Sequence, residues 1–534
     1  MPVPSQILIA VAQINSAVGD FKGNKDKIIS GIARAREKKA DIIIFPEMAI
    51  TGYPAEDLWL RKEFIEKNIS TLREIIPCTM GIGAVIGFAC EEDGKLFNSA
   101  AFISDGQLVG TQHKTHLPNY GVFDEKRYFF PAGRHQLFTC KDIKFGITIC
   151  EDLWVKDDIC ADYSAKGASF IINISASPFH KGKLHERIAL FSQKAALHKL
   201  PIVYANLVGA QDGLVFDGRS LIFDRAGRLI AQLKQFQEDF LISPLEGSQI
   251  FPNADGDVEL LKALILGTRD FVEKNNFKDV VIGLSGGIDS SLTAAIAVEA
   301  LGKEHVFGVM MPSIYTSKES EDDAAKLANN LGIKAIHLPI QDLINSYSNA
   351  LASEFRGFNM DKTEENIQAR IRGNLLMALS NKFGWLALAT GNKSEIATGY
   401  ATLYGDLAGG LAVLGDVFKT AVYKLAKIIN EKNEIIPQRV LSKAPTAELK
   451  QNQKDSDTLP PYELLDPILS SYLEDGKSEL DIVKNRHNPD IVRRIVGMVH
   501  TNEFKQRQIP PCIKVSPMAF GKDWRMPISK AKGW

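Results

Sequence analysis

The sequence predicts an α/β protein made of two large units, and three observations support this prediction. Residues 1–245 alternate short apolar runs with a few amphipathic stretches, a pattern that favours a pair of mixed sheets covered by helices. Residues 259–534 open with strands and helices in β-α-β order, which is typical of a parallel, doubly wound sheet. Between them, residues 243–257 are rich in proline, glycine and acidic or amide residues, and mark the boundary.

In the first half, apolar runs predict several buried strands. One helix is predicted over residues 25–38, because Ile28, Ile29, Ile32 and Ala35 fall on a single helical face. The strands are predicted at residues 7–12, 41–45, 84–89, 100–103, 145–149, 170–174, 202–205 and 220–224.

In the second half, a helix is predicted from near Val258, followed by strands at residues 280–284, 306–311 and 335–340. Residues 290–301 predict a helix closed by Gly302. The next helix is expected to open with a capping box at Thr316-Ser317-Lys318-Glu319 and to stop at Gly332. Residues 442–461 are polar and turn-rich, so we expect a mobile loop over a site.

Composition restricts the possible partners and compartment. The 63 basic and 64 acidic residues nearly cancel, which disfavours a dedicated nucleic-acid binder. No apolar stretch approaches the ~18 residues of a membrane helix, and the N-terminus lacks the basic leader of a signal peptide. The six cysteines form no CxxC pair, so we expect free thiols in the cytoplasm. We therefore expect small-molecule substrates.

Three side chains in the first half could together hydrolyse an amide. Cys150 lies at a predicted strand end, Glu47 follows another strand, and Lys114 lies in a loop. A thiol attacks well only after losing its proton, which a carboxylate can accept. An ammonium can stabilise the charge on the attacked carbonyl oxygen, so a thioester and ammonia would result. Taken singly, each residue is more often structural, and spacing alone does not bring them together.

The segment SGGIDSS, between a strand and a helix, predicts a phosphate-binding loop. Adjacent Gly286 and Gly287 let backbone N–H groups converge on an anion, and the helix N-terminus adds its dipole. Hydroxyl donors are supplied by Ser285, Ser290 and Ser291. The loop lacks the lysine of GxxxxGK[ST] and the GxGxxG pattern, so neither a usual P-loop nor a dinucleotide Rossmann site is indicated. A simple tight turn remains the structural alternative.

The segments IIIFPEMAITGYP, HKTHLPNYGVFDEKRYF and FGITICEDLW resemble the three motif blocks of the nitrilase superfamily, over about residues 5–235. The resemblance implies a four-layer αββα sandwich. It also implies that Glu47 is the general base, Lys114 the oxyanion stabiliser and Cys150 the nucleophile, with Glu125 supporting the lysine. By comparison with the members that hydrolyse glutamine, the residues that hold glutamine would be Tyr120, Ser177 and Lys183.

The loop SGGIDSS resembles the PP-loop of N-type ATP pyrophosphatases, and ENIQARIRGNLLM, ATGNKSEIATGYATLYGD, GDVFKTAVYKLA and SKAPTAEL resemble NAD synthetase blocks. The whole chain thus resembles the family of glutamine-dependent NAD synthetases. The ATP site implied by the resemblance comprises Leu284, Ser285, Gly286, Gly287, Ile288, Asp289, Ser290, Ser291 and Thr390. The deamido-NAD⁺ site would comprise Asn366, Arg370, Glu395, Asp406 and Lys505. Asp289 would bind Mg²⁺, Glu395 would serve either the metal or the substrate, and Lys419 is a further candidate.

The expected function is ATP-dependent amidation of deamido-NAD⁺ with ammonia from L-glutamine. Residues 1–245 would form the glutaminase domain, 246–258 a linker and 259–534 the synthetase domain. The resemblance also implies a homo-oligomer, at least a dimer. Two alternatives stay open at this point: a stand-alone amidase or nitrilase with a nucleotide-sensing C-terminal domain, and a non-enzymatic nucleotide-binding scaffold.

Overall fold

The computed structural model describes residues 7–247, 256–451 and 453–531. The chain divides into two compact units, Met1–Ala254 and Asp255–Trp534. Most of the predicted linker 246–258 lies outside the described residues, so its bounds stay a prediction. Across the described ranges, no helix combines the length and the apolar character needed to span a bilayer.

The first unit contains two six-stranded sheets, a two-stranded hairpin and four helices within its described residues. The sheets have the orders β14-β1-β2-β3-β4-β5 and β13-β12-β9-β8-β7-β6, and β10 pairs with β11. The strands are β1 (Ile9–Gln13), β2 (Ile42–Ile44), β3 (Gly83–Glu92), β4 (Lys95–Ser104), β5 (Gln107–His113), β6 (Leu137–Cys140), β7 (Ile143–Ile149), β8 (Phe170–Ser175), β9 (Ile202–Asn206), β10 (Val208–Gln211), β11 (Leu214–Asp217), β12 (Leu221–Phe223), β13 (Leu229–Gln232) and β14 (Asp239–Ser243). The helices are α1 (Phe21–Glu37), α2 (Lys62–Ile75), α3 (Ile159–Ala165) and α4 (Lys183–His198).

Alternating side chains on the central strands create four layers. Ala10 packs with Ile28 of α1, whereas its neighbour Ile9 packs in one core with Ile147 of the second sheet. The outer face of that second sheet is covered by α3 and α4, with Phe191 of α4 fully buried. Both faces of each central strand are therefore apolar, as its sequence requires. The observed layers confirm the predicted αββα sandwich.

The second unit is built on a five-stranded sheet of order β17-β16-β15-β18-β19, in which every pair is parallel. Its strands are β15 (Val280–Gly283), β16 (Val306–Met310), β17 (Lys334–His337), β18 (Leu386–Ala389) and β19 (Leu411–Ala412). The helices are α5 (Gly256–Lys274), α6 (Ile288–Leu301), α7 (Lys318–Leu331), α8 (Gln341–Leu351), α9 (Lys362–Phe383), α10 (Lys393–Thr398), α11 (Lys419–Ile429), α12 (Gln438–Ser442), α13 (Tyr462–Leu473), α14 (Glu479–Lys484), α15 (Pro489–Thr501) and α16 (Glu503–Gln506). The strand order reverses between β15 and β18, and ligands of such sheets bind at the carboxyl ends of the strands there. The predicted doubly wound fold is confirmed.

Some element predictions need correction. The capping box at the start of α7 is wrong, because the cap is Ser317, whose side chain accepts the N–H of Ser320. A serine at this third helical position cannot return the second bond of the box as a glutamate would. The helices within residues 462–506 were not predicted. There α13 to α15 form a separate apolar core with α10, centred on residues such as Leu465 and Ile495.

Candidate active sites

Glu47 lies at the centre of the first site, after β2 and the Phe45-Pro46 pair. Its side chain is 1% exposed and fully hydrogen-bonded. One oxygen accepts Asn98 Nδ2 at 2.6 Å and Lys114 Nζ at 2.8 Å, and the other accepts the Ala176 N–H at 2.7 Å. Ala176 follows β8 of the opposite sheet, so Glu47 connects the two sheets at their carboxyl ends. These contacts fix one carboxylate in a single orientation.

Lys114 follows β5 and lies between two carboxylates. Its Nζ lies 2.8 Å from Glu47 Oε1 and 2.9 Å from Glu125 Oε1, and the side chain is 1% exposed. Burial disfavours the ammonium, but Glu125 and Glu47 outweigh it and raise the pKa of Lys114. Burial raises the pKa of Glu125, whose Oε1 also accepts the Tyr53 hydroxyl at 2.9 Å. Lys114 therefore stays charged.

Cys150 follows β7 and opens the short 3-10 turn Cys150–Leu153. Its backbone has a φ of +43°, in the left-handed region that residues other than glycine rarely adopt. The residue is 5% exposed. Burial, and then the negative charge of Glu47, raise the pKa of the thiol well above its usual value, whereas Lys114 opposes them. The resting site thus holds a neutral thiol, so attack requires that a base take the proton.

The three residues predicted to hold glutamine have different surroundings. Tyr120 is exposed, and its hydroxyl donates to Glu151 Oε2 at 2.9 Å. Ser177 is buried, and its backbone N–H donates to Asn206 Oδ1 at 3.0 Å. Lys183 begins α4, where its ammonium pairs with Glu186 at 2.9 Å and lies 3.8 Å from the centroid of the Trp154 ring. Their joint role toward glutamine stays a prediction.

A buried ion pair supports the Ser177 segment and was missed from the sequence. Both oxygens of Asp217 accept Arg187 Nη1, at 2.7 and 2.8 Å. Arg187 Nη2 donates to the Ser177 carbonyl at 3.0 Å. The arginine is fully buried, and helical spacing could have indicated this, because it lies on the same face of α4 as the buried Leu184 and Phe191.

The predicted phosphate loop of the second unit joins β15 to α6. Gly286 has a φ of +76°, and a Cβ there would lie 2.2 Å from the Ser320 carbonyl oxygen, so only glycine fits. The Ser285 and Ser290 hydroxyls are 3.1 Å apart. Ser291 instead donates to the Gly287 carbonyl at 2.8 Å, which directs its hydroxyl into the helix.

A cavity of about 420 Å³ lies against this loop. The predicted residues that line it are Leu284, Ser285, Gly286, Gly287, Ile288, Asp289, Ser290, Asn366, Thr390, Glu395, Asp406, Lys419 and Lys505. Ser291 and Arg370 are not among the lining residues. The volume falls within the usual range for a small-molecule site.

Lys419 bridges two acidic residues beside the phosphate loop. Its Nζ contacts Asp289 Oδ2 and lies 3.0 Å from Glu395 Oε1, and its side chain is 3% exposed. Burial raises the pKa of Glu395 to about 8, and Lys419 opposes the effect. The pKa of Lys419 is raised, because Asp289 and Glu395 outweigh its burial. The cluster keeps a positive charge close to where the loop would hold phosphate.

The acidic pair also fits the donor type that Mg²⁺ prefers. Carboxylate oxygens are hard ligands, and Mg²⁺ commonly takes one or two of them together with substrate phosphates. Asp289 Oδ1 accepts a hydrogen bond from Asn392 Nδ2 at 2.9 Å, and Glu395 Oε1 accepts one from Lys419 Nζ. Within the described residues, no group of three or more His, Cys, Asp or Glu side chains could hold a metal by itself.

Helix α10, which carries Glu395, is held by a buried lysine that the sequence analysis did not single out. Lys393 is fully buried, and its Nζ lies 2.9 Å from Asp416 and 2.6 Å from Glu474. It also donates to the Met518 carbonyl at 2.7 Å. The C-terminal segment is thereby tied to the helix that supplies Glu395.

Three of the residues predicted for deamido-NAD⁺ line the same cavity and contact their neighbours through hydrogen bonds. Asn366 Oδ1 accepts the Thr402 hydroxyl at 2.9 Å, and the Thr402 N–H donates to Asp406 Oδ1 at 2.7 Å. Lys505 Nζ donates to the carbonyl oxygens of Gly399 and Ala401, at 2.8 and 2.9 Å. Burial lowers the pKa of Lys505.

Helix α9 carries Arg370 and Arg372 close together. The cavity is lined by Arg372, whereas the residue predicted for deamido-NAD⁺ was Arg370. Arg370 is exposed, and its Nε donates to the Leu403 carbonyl at 3.3 Å. Arg372 lines the cavity, donates to the Met311 carbonyl at 3.1 Å, and has a pKa lowered to about 10 by burial. Helical spacing could have revealed this, because Ala369 and Leu376 lie on the same side as Arg372.

Part of the polar segment predicted to lie over a site does line the cavity. The Glu448 carboxylate accepts Lys443 Nζ and the hydroxyls of Ser317 and Ser320, each at 2.8 Å. These bonds outweigh burial and lower the pKa of Glu448. Gln368 Nε2 also donates to the Leu449 carbonyl at 2.9 Å, so α7 and α9 both hold the segment.

Family comparisons assign both halves of the chain. Residues 8–250 match the carbon-nitrogen hydrolase family, and residues 260–510 match the NAD synthase family. The structure of a glutamine-dependent NAD⁺ synthetase from Cytophaga hutchinsonii, 24% identical, has a TM-score of 0.86 over 98% of both chains, which shows a common fold.

Full-length relatives carry both halves in the same order. The glutamine-dependent NAD(+) synthetase of Thermotoga maritima is 44% identical over 568 residues, covering 98% of each chain. That of Acinetobacter baylyi is 41% identical, with 98% of each chain covered. The structure of the Acinetobacter baumannii enzyme in complex with adenosine diphosphate is 40% identical, with a TM-score of 0.79 over 98% of both chains. The chain therefore belongs to the family of glutamine-dependent NAD(+) synthetases.

Proposed function

We propose that the chain makes NAD⁺ from deamido-NAD⁺, using ATP and ammonia that it releases from L-glutamine. The observation that carries this proposal is the presence of two differently built reactive centres in one chain. One is the buried set of Glu47, Lys114 and Cys150, and the other is the phosphate loop beside Asp289 and Glu395. The names of the full-length relatives join glutamine use to NAD⁺ synthesis, which supports assigning one step to each centre.

We assign glutamine hydrolysis to residues 1–245 and amidation to residues 259–534, with 246–258 as the linker. Both active sites then lie at carboxyl ends of strands in their own unit, where loops can vary without disturbing the core.

In the glutaminase reaction, Cys150 Sγ attacks the side-chain amide carbon of glutamine while Glu47 takes the thiol proton. Lys114 stabilises the negative charge that develops on the carbonyl oxygen. Glu47 returns the proton to the leaving nitrogen, so the C–N bond breaks and ammonia and a thioester form. Water, deprotonated by Glu47, then attacks the thioester, and glutamate leaves as the thiol regains its proton. The raised pKa of Cys150 makes Glu47 necessary at the first step.

Glutamine differs from a simple amide by its α-ammonium and α-carboxylate, and the site must recognise both. We assign Tyr120, Ser177 and Lys183 to this end of the substrate. Lys183 can pair with a carboxylate, and the hydroxyls of Tyr120 and Ser177 can donate or accept.

In the synthetase reaction, an oxygen of the nicotinate carboxylate attacks the α-phosphorus of ATP, and pyrophosphate leaves. Ammonia then attacks the carbonyl carbon of the adenylate, AMP leaves, and the new amide is that of NAD⁺. We assign phosphate binding to the Gly286-Gly287 turn and to the Lys419 ammonium, all of which line the cavity. The A. baumannii relative was solved with ADP bound, which supports a nucleotide site.

For the remaining synthetase contacts, Thr390 and Ser290 complete the ATP side of the cavity, and Asn366, Asp406 and Lys505 the dinucleotide side. Asp289 and Glu395 would hold Mg²⁺. When bound, the metal supplies neutralisation of the pyrophosphate charge as it departs. Arg372 joins Lys419 and Lys505 as a further cation on the cavity wall.

An assay of NAD⁺ formation with either glutamine or ammonium as nitrogen donor tests the proposal. The intact chain should use both, with release of pyrophosphate and AMP. Cys150→Ala should lose glutamine-driven synthesis and keep ammonium-driven synthesis. A folded wild-type chain that makes no NAD⁺ from ATP, deamido-NAD⁺ and ammonium would refute the proposal.

A further inference from the structure

Asp152 is a buried carboxylate at the first site that the proposed reaction does not use. Its side chain is 1% exposed and accepts three backbone N–H groups. Oδ1 accepts those of Thr115 and His116, at 3.0 and 2.8 Å. Oδ2 accepts that of Ile149 at 2.9 Å. No other side chain at this site collects so many main-chain donors among the described residues.

The three donors belong to the two segments that carry reactive groups. Thr115 and His116 directly follow Lys114 at the end of β5, in one sheet of the sandwich. Ile149 directly precedes Cys150 at the end of β7, in the other sheet. One carboxylate therefore joins the backbone on both sides of the sandwich, immediately beside the ammonium and the thiol.

The hydrogen bonds of Asp152 hold an unusual backbone conformation at Cys150. A φ of +43° is costly for a residue with a Cβ, and such a conformation persists only where its surroundings hold it. The hydrogen bond from the Ile149 N–H to the Asp152 side chain closes the turn that contains Cys150. It joins the residue before Cys150 to the second residue after Cys150. The bonds to Thr115 and His116 place that turn relative to Lys114.

We infer that Asp152 is a positioning residue, which sets the sulfur of Cys150 and the ammonium of Lys114 in the relative geometry that thioester formation needs. The inference rests on the proposed glutaminase reaction. Asp152 contacts neither the sulfur nor Lys114 Nζ by hydrogen bond among the described contacts, so its effect passes through the backbone. A carboxylate suits this position because both of its oxygens accept hydrogen bonds. The amide of an asparagine has one oxygen only, and its NH₂ group would face a backbone N–H that is itself a donor.

Asp152→Asn tests the inference, because it keeps the size of the side chain and removes one acceptor. We expect kcat for glutamine hydrolysis to fall roughly 10–100-fold, the scale on which small misplacements act, while KM for glutamine stays within about twofold of wild type. Labelling of Cys150 by a glutamine-like diazo ketone should slow by a similar factor. Ammonium-driven NAD⁺ formation should not change, because it takes place in the other unit. A role confined to stability would not produce this split between kcat and KM.

Asp93→Asn is the matched control, since Asp93 is exposed in the turn between β3 and β4 and should behave as wild type. An unchanged kcat in folded Asp152→Asn, or a rise in KM alone, would overturn the inference. If circular dichroism shows that Asp152→Asn does not fold, Asp152→Glu is measured against the same criteria. Failure of both variants to fold would also overturn the inference, leaving Asp152 a purely structural residue. Absence of glutamine hydrolysis by the wild-type chain would refute the proposed function itself. That outcome is distinguished from failure of the inference, because the inference concerns only the difference between Asp152→Asn and the wild-type chain.

Discussion

Gly286→Ala should damage the phosphate loop far more than the same change one residue later. At Gly286 the φ is +76°, and a Cβ would lie 2.2 Å from the carbonyl oxygen of Ser320. Ser320 cannot move away freely, because it is 2% exposed and its hydroxyl donates to Glu448. At Gly287 the φ is −91°, and the nearest atom to a new Cβ is the side-chain oxygen of Ser285, at 3.3 Å.

The expected size follows from two costs. The left-handed backbone costs an alanine about 1–2 kcal/mol, and relief of the clash adds about 1–3 kcal/mol, as in other overpacked sites. The free energy of unfolding of the second unit should therefore fall by about 2–5 kcal/mol. Gly287→Ala exchanges one cap residue for a poorer one, which costs about 1 kcal/mol.

Residual ammonium-driven NAD⁺ formation after heating measures the stability of the second unit. For a unit of this size the midpoint should fall by roughly 4 °C or more in Gly286→Ala, and by less in Gly287→Ala. KM for ATP should rise in Gly286→Ala even below the midpoint, because the N–H groups that we assign to phosphate binding move with the turn. Glutamine hydrolysis in the first unit should be normal in both variants. A Gly286→Ala chain with the wild-type midpoint and KM for ATP would refute the reasoning.

Four further predictions concern other contacts. Glu47→Gln should slow glutamine hydrolysis about 10²–10⁴-fold by removing the base. The same change should speed alkylation of Cys150 by iodoacetamide, because loss of the Glu47 charge lowers the thiol pKa. Equal slowing of hydrolysis and alkylation would contradict the prediction. In the wild-type chain, alkylation of Cys150 should still be rising with pH at pH 9, since its pKa is raised, and a plateau below pH 9 would show a resting thiolate. Lys393→Met should destabilise the second unit by about 3–5 kcal/mol in thermal denaturation, because the buried Asp416 and the partly buried Glu474 lose the ammonium that pairs with both. Changing the exposed Lys484 to Met should cause no loss, and equal melting of the two variants would contradict the prediction. Tyr120→Phe should raise KM for glutamine severalfold with little change in kcat, and a fall in kcat at constant KM would rule out a binding role.

Sequence patterns predicted the positions of the reactive groups well where strand ends determine them. Glu47 and Cys150 follow apolar runs that are too short for helices, and the ends of parallel strands gather at one edge of a sheet. The phosphate loop could be predicted for the same reason, since its glycines lie between a strand and a helix. Family resemblance then supplied the pairing of Glu47, Lys114 and Cys150, which spacing alone could not.

Contacts between distant segments could not be predicted. Nothing local distinguishes Asp152, which binds residues 36 and 37 positions earlier, from a solvated carboxylate. Lys393 was overlooked similarly, because a lysine is rarely buried unless it is paired and its partners lie far along the chain. The position of Arg372 on the cavity wall is different, since it follows from the helical spacing of α9, whereas Arg370 was implied by family resemblance alone.

The neutral state of the resting Cys150 thiol determines which reagents can react with its sulfur. Peroxide and similar small oxidants attack thiolates, and access to a nearly buried sulfur is also limited. Cys150 should therefore survive oxidative conditions that inactivate enzymes with an exposed, ionised cysteine. A covalent inhibitor would need the shape of glutamine before it needs a strong electrophile, because its amide-like end must reach Glu47 and Lys114 for the sulfur to become reactive. Selectivity would then come from the amino-acid portion of the inhibitor, and a weak electrophile would suffice.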